Sequence, residues 1–214
     1  MFLSYNFKKN IKMKKNSFII LVLIGASLLY FSCKKENNTN NGTTFTINAT
    51  SFTRWVYFSF AKGDTIQISN ADTSTVWDLA FQRTNIRTNS GLSGKGTGGA
   101  SNSGKTGTSG YTQLIQVSDT ATFLTDNLNI LPGEQGLNDT LVTNPLLSNW
   151  YNYNMTTHVL TTMNIVYIIR TATNKYAKFL INSYYNPKDA NIITSSGYFT
   201  FTYFYQPNGS KTLQ

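Results

Sequence analysis

Short apolar runs with a period of two recur along this chain, and beyond residue 33 no helical repeat is sustained. Such runs bury one face and hydrate the other, so the pattern predicts a mainly β fold of antiparallel strands. Phe45, Ile47 and Ala49 alternate with Thr and Asn, and Trp55 to Phe60 is aromatic and β-branched. Ile66 and Ile68 follow a turn at Gly63-Asp64, and Trp77, Leu79 and Phe81 are expected on one face of the next strand. Ile165 to Ile169 is a continuous apolar run, the mark of a strand covered on both sides. Ala177, Phe179 and Ile181 should face opposite to Lys178 and Asn182, and Phe199, Phe201, Tyr203 and Tyr205 form one face of the last strand. A turn at Asn186 to Asp189 joins these two strands into a hairpin with a longish loop. Tyr111 to Val117 also reads as a strand. Leu128, Ile130 and Leu131 lead to a turn at Pro132-Gly133, and Leu137 to Leu147 reads as a short helix cut at Pro145.

The N-terminus has a different grammar. Five lysines (8, 9, 12, 14 and 15) precede an apolar run from Phe18 to Phe31, followed by Ser32 and Cys33. A basic region, an apolar region and a small residue at the junction make a secretory signal over residues 1–32. The apolar run is shorter than the ~20 residues of a membrane-spanning helix. Cys33, the single cysteine, stands where a bacterial lipoprotein carries its lipid; an uncleaved anchor is the alternative reading. Met13-Lys14-Lys15 reads as a better start than Met1. Residues 33–43 then form a lipidated Cys and flexible tether, 44–206 one domain, and 207–214 a C-terminal tail. With Cys33 lipidated no thiol remains for a disulfide or a Cys-ligated zinc.

The formal net charge of +9 suggests a nucleic-acid binder until the signal is removed. From Cys33 onward 13 basic residues face 9 acidic ones, a net +4 with no basic stripe, which argues against nucleic acid. Gly99-Ala100-Ser101-Asn102-Ser103-Gly104-Lys105-Thr106 matches the P-loop pattern. A P-loop needs a buried strand before it and a helix after it. Here glycine-rich coil precedes the motif and Gly107 to Gly110 leads toward an expected strand, so no nucleotide is expected. His158 is the sole histidine, no Gly-x-Ser-x-Gly elbow exists, and the acids are scattered, so no enzyme is expected. Asp78 reads as a cap or an ion-pair partner of Arg83 or Arg87.

One cluster offers iron chemistry. Trp150-Tyr151-Asn152-Tyr153-Asn154-Met155-Thr156-Thr157-His158, with Met163 beyond, places a thioether and an imidazole among aromatic rings. Those are the neutral axial ligands of six-coordinate haem, and aromatic neighbours can wall its apolar ring.

Longer motifs sharpen this. Trp55-Val56-Tyr57-Phe58-Ser59-Phe60, Trp77-Asp78-Leu79-Ala80-Phe81-Gln82-Arg83, Ile86-Arg87-Thr88-Asn89-Ser90-Gly91 and Ser93 to Ala100 together resemble the HmuY family of haem-binding outer-membrane lipoproteins. Val166 to Arg170, Tyr176 to Phe179, Tyr184-Tyr185 and Phe199 to Tyr203 extend the resemblance over about residues 44–206, least at 115–149. It implies a β domain gripping haem between finger-like hairpins at one end. It also implies a haemophore, taking haem from host or competing haemoproteins and passing it to an outer-membrane transporter. The lipid anchor would then sit in the outer membrane, with the domain facing the periplasm or the cell surface. Family members hold iron through two side chains. The second position falls on Met155, with His158 the alternative partner. The first falls at Asn127 to Asn129, where no His or Met stands. A relative that keeps the scaffold but binds another ligand or a protein partner is therefore the competing expectation.

Overall fold

A computed structural model describes residues 42–132, 138–189, 191–192 and 194–214. The expected signal, Cys33 and nearly all of the tether lie outside the described residues, as does Gly133 of the expected turn. Two antiparallel sheets face each other. The first has five strands: β1 (Thr43–Asn48), β6 (Gly99–Thr106), β11 (Ile165–Arg170), β12 (Tyr176–Tyr185) and β13 (Ser196–Gln206), in the order β1-β13-β12-β11-β6. The second has four: β2 (Val56–Ser59), β3 (Asp64–Ile66), β4 (Leu79–Gln82) and β5 (Asn85–Thr88), in the order β3-β2-β4-β5. Two consecutive hairpins complete the set, β7 (Asn127–Pro132) with β8 (Asn138–Thr143), and β9 (Tyr151–Tyr153) with β10 (Leu160–Thr162).

The predicted alternation becomes the inter-sheet core. Phe45 and Ile47 point inward, while Thr44 and Thr46 hydrogen-bond Thr202 and Thr200 along the outer face. Phe58 and Phe81 of the small sheet meet Phe199, Phe201 and Tyr203 of the large one, with ring centroids 5.0–5.7 Å apart. Tilted, edge-on and stacked aromatic pairs of this kind add to the area they bury.

The expected double burial of Ile165 to Ile169 has a physical source. Tyr167 and Ile169 join the inter-sheet core, whereas Val166 and Ile168 face a second core with Leu180, Phe204, Tyr111, Leu114, Val117 and Leu213. That second layer is a short helix, α1 (Gly107–Gln113), where a strand was expected. Tyr111 of the helix and Leu114 and Val117, which follow it, all pack on the sheet. Lys178, on the opposite face from Ala177, Phe179 and Ile181 as expected, is fully buried beneath the helix. Its ammonium donates to the Tyr111 and Leu114 carbonyls at 3.1 and 3.2 Å, using the unpaired carbonyls at the helix C-terminus. Residues 207–214 pack here too, with Leu213 buried.

The expected helix at 137–147 is likewise replaced. Asn138–Thr143 is β8, and only Leu147–Asn149 coils, as a single 3-10 turn. The P-loop look-alike is β6 itself. Its backbone pairs with β11, so its N–H groups do not converge on a phosphate. A helix does follow it, contrary to expectation, but the motif is already extended.

Trp77 parts company with Leu79 and Phe81. Those two enter the core, while Trp77 lies edge-on to Tyr57 and donates Nε1–H to Ala71 O. The glycine run then wraps Asn89, which is fully buried. A Cβ at Gly96 or Gly98 would stand 2.5 or 2.6 Å from the Asn89 carbonyl oxygen, closer than any side chain tolerates.

Among the described residues Asp78 forms no ion pair; Arg83 instead binds Ser196 and stacks on Phe52. The Asp78 carboxylate is buried and accepts backbone N–H groups of Phe60 and Ala172 at 2.8 and 3.1 Å. Burial outweighs these bonds and pushes its pKa from 3.8 up to about 6. A raised carboxyl pKa means the folded state holds its proton longer than the unfolded chain. Its contribution is fullest below the unfolded pKa and is lost as pH rises toward about 6. Between about pH 4.5 and about pH 7.5 this one group should cost about 2 kcal/mol. Urea titrations at both pH values should show that loss in the wild type and not in Asp78→Asn. Equal pH dependence in the two proteins would contradict the assignment.

Candidate ligand-binding site

The two small hairpins share a root. β8 ends at Thr143 and β9 begins at Tyr151, and Asn144, Leu147 and Trp150 between them are buried. Trp150 packs on Tyr151, Tyr184 and Phe199 and donates Nε1–H to Thr84 O at 2.9 Å. This ties β9 to the core. β10 is held by Leu160 N–H on the Tyr185 hydroxyl at 2.7 Å and, just beyond, by Met163 N–H on Trp150 O at 2.9 Å.

The root of β7 is polar. Buried Asp126 accepts the Thr88 amide N–H at 2.9 Å, the Thr88 hydroxyl and the Asn144 side-chain amide at 3.2 Å. Its own N–H donates to Ser90 Oγ at 3.1 Å, joining the hairpin to β5 and the glycine-rich loop. Burial raises the Asp126 pKa, and the hydrogen bonds from Thr88 and Asn144 pull it back. Across the hairpin, Arg87 stacks on Trp55 at 3.9 Å and donates Nε–H to Val142 O at 2.8 Å. Arg87 is therefore a brace for β8 and not a partner of Asp78.

Beyond these roots the hairpins expose apolar side chains. Leu128 and Ile130 share one face of β7 and are 58% and 72% exposed. Asn129 points the other way and spends its amide on Asn127 O, Thr143 O and Thr143 Oγ1. The position expected for a first iron ligand is thus occupied by a structural asparagine between apolar neighbours.

The other hairpin carries both candidate donors on its connecting loop. Asn154 Oδ1 accepts the N–H groups of Thr156 and Thr157, and His158 N–H returns to Asn154 O at 2.8 Å. His158 closes this turn with φ +57°, a left-handed conformation that His adopts more readily than branched residues. Met155 extends from the tip, 78% exposed, and Met163 follows β10, also exposed. His158 lies beside Tyr153, with Nδ1 2.6 Å from the phenol oxygen. Sequence reasoning passed over Tyr153 as a site residue, and only the left-handed turn at His158 brings the two together. Among the described residues no three His, Cys, Asp or Glu side chains gather as a metal cluster.

Exposed thioether and imidazole donors on one hairpin and exposed aliphatic groups on the other are the kinds of group an apolar ring with a central metal would need. Such a ring needs apolar walls and a few fixed donors. The fold is a two-sheet β-sandwich that carries two further hairpins. The model of the family described as HmuY protein matches residues 51–203, and the chain belongs to the HmuY family.

Solved structures share the fold at low identity. An apo HmuY analogue of Tannerella forsythia aligns with TM-score 0.58 and 20% identity, covering 78% of this chain and 96% of that one. A candidate lipoprotein of Bacteroides fragilis gives 0.57 and 22%, covering 78% and 92%. A candidate HmuY-like haem-binding protein of Bacteroides vulgatus gives 0.56 and 21%, covering 77% and 91%. No curated protein matches the chain.

Proposed function

We propose that this protein is a haem-binding lipoprotein of the haemophore type, anchored through Cys33 in the outer membrane with its domain facing the periplasm or the cell surface. In this reading it captures haem at the envelope, from host or competing haemoproteins, and hands it to an outer-membrane transporter. Its role is binding and not catalysis. The observation that carries the reading is the pair of hairpins, in a HmuY-family chain, that expose apolar side chains and iron donors instead of burying them. Leu128 and Ile130 supply an apolar wall, and the loop of the β9–β10 hairpin supplies Met155 and His158. A thioether suits ferrous iron, so Met155 is the donor for the reduced state.

The wall makes the reading testable. Leu128→Glu with Ile130→Glu places two carboxylates where the ring should rest, on side chains the fold leaves in solvent. Haemin titrated into the full chain in detergent should bind the double variant at least about tenfold more weakly, since each burial lost is worth about 1.5 kcal/mol or more. Circular dichroism should be unchanged. Equal haemin affinity in the two proteins would remove β7 from the site. The competing reading, a family member that has turned to another ligand or a protein partner, draws its support from the missing donor at Asn127 to Asn129. It prevails if the wild type itself gives no saturable haemin binding.

A further inference from the structure

We propose that the cleft beside β6 is a second ligand site, suited to a small sugar acid of one or two rings. No residue of either small hairpin lines it, so the proposal stands whether or not those hairpins hold haem.

The cleft forms where two segments part. β6 is an edge strand of the large sheet, and residues 114–124 run along its outer side. Ala100 and Leu124 exchange both backbone hydrogen bonds, at 3.0 and 2.8 Å. On the N-terminal side of Leu124 the segment turns away and bonds the C-terminal tail instead. Val117 N–H donates to Lys211 O at 2.8 Å, and Leu213 N–H donates to Ile115 O at 2.7 Å. The gap left against β6 is an open cleft of about 610 Å³, inside the roughly 300–1,000 Å³ range of small-molecule sites. Outward bonding alternates along an antiparallel strand, so Asn102, two residues past Ala100, turns its N–H and C=O toward the cleft. Just beyond it the pairing with β11 is interrupted at Ser103 and Gly104, and Ser103 Oγ donates to Val166 O at 2.6 Å. A bulge of this kind blunts an edge against a further strand, so the occupant is a compact molecule.

The lining chemistry names its class. Leu114 and Ile168 make an aliphatic floor, which suits the C–H face of a saturated ring. No aromatic side chain lines the cleft, so a porphyrin or a nucleobase finds nothing to stack on. Ser101, Gln116 and Thr122 present hydroxyl and amide groups with no hydrogen-bond partner among the described residues. Such groups both donate and accept, as sugar hydroxyls do. Ser101 is only 5% exposed, and a hydroxyl so nearly buried is expected to bond something; here its open side is the cleft. Lys105 is the one charged residue of the lining, and among the described residues its ammonium forms no ion pair. A single negative charge on a polyhydroxylated ring complements this arrangement.

The test is calorimetry and amide NMR on the full chain in detergent. D-glucuronate and digalacturonate are the probes, with glucose and acetate as controls. At least one uronate should bind saturably, at millimolar affinity or tighter, with amide shifts centred on Asn102 and Thr122. Glucose lacks the charge and acetate lacks the hydroxyls, so each should bind at least about tenfold more weakly. Lys105→Gln should weaken the uronate about tenfold or more, and Ser101→Ala about two- to tenfold, both with unchanged circular dichroism. Should Ser101→Ala misfold, Lys105→Gln decides, because Lys105 has no structural partner to lose. Three results would each overturn the site: no saturable uronate binding, acetate binding as tightly as the uronate, or Lys105→Gln without effect. Amide shifts confined to residues away from the cleft would overturn it as well.

Discussion

Phe201→Ala is expected to lower the unfolding free energy by about 3–5 kcal/mol, the range for truncating a buried aromatic that the fold cannot close over. Phe201 is fully buried at the centre of the inter-sheet core. Its ring stacks on Phe81 at 5.7 Å, meets Phe58 edge-on at 5.3 Å and packs on Phe179 at 4.9 Å. The first two neighbours belong to the small sheet and the third to the large one, so the cavity would open at the seam between layers. Such walls relax poorly because each is a strand held by its own ladder. Urea unfolding followed by tryptophan fluorescence measures the loss. A change below about 1 kcal/mol would mean that the sheets do not pack as described.

Asn89→Ala should cost about 4 kcal/mol by a different route. Its side-chain amide donates to Ser74 O and Trp77 O at 2.8 and 2.9 Å and accepts Gly96 N–H at 2.9 Å. Removing it strands three partly or fully buried groups at about 1–3 kcal/mol each. The damage should be local first. Hydrogen exchange at Gly96 and Gly98 should accelerate more than exchange in β11, because Gly96 N–H bonds the Asn89 side chain and Gly98 N–H the Asn89 carbonyl. Uniform acceleration across both would contradict that role.

These two residues mark what the sequence made legible. Phe201 belongs to a run in which every second side chain is aromatic, and burial on one face follows directly from that period. The glycine run was visible as a segment that cannot fold alone, but its centre was not. Asn89 is one polar residue among many, and only the close approach of Gly96 and Gly98 sets it apart. α1 escaped because it is only seven residues long and Gly- and Thr-rich, with one large apolar side chain, Tyr111, and so shows no helical repeat. Lys178 stands opposite Phe179 as its place in the strand predicts, but that a helix covers this face was not legible.

The candidate site was harder to read for a physical reason. Periodicity reports burial, and Leu128, Ile130 and Met155 are apolar without being buried. Their pattern therefore carries no core signal, and the stretch containing β7 and β8 read as turn and helix. The position of Met155 came from resemblance and not from periodicity. The Tyr153–His158 contact depends on a backbone angle at His158, which spacing alone does not encode.

The central claim is that this chain holds haem between its two hairpins, and a haemin titration of the wild-type full chain tests it most directly. The Soret band should shift and sharpen to saturation at one haem per chain, and again, in altered form, after reduction. A spectrum that only follows free haemin in both oxidation states, with no saturation, would contradict it.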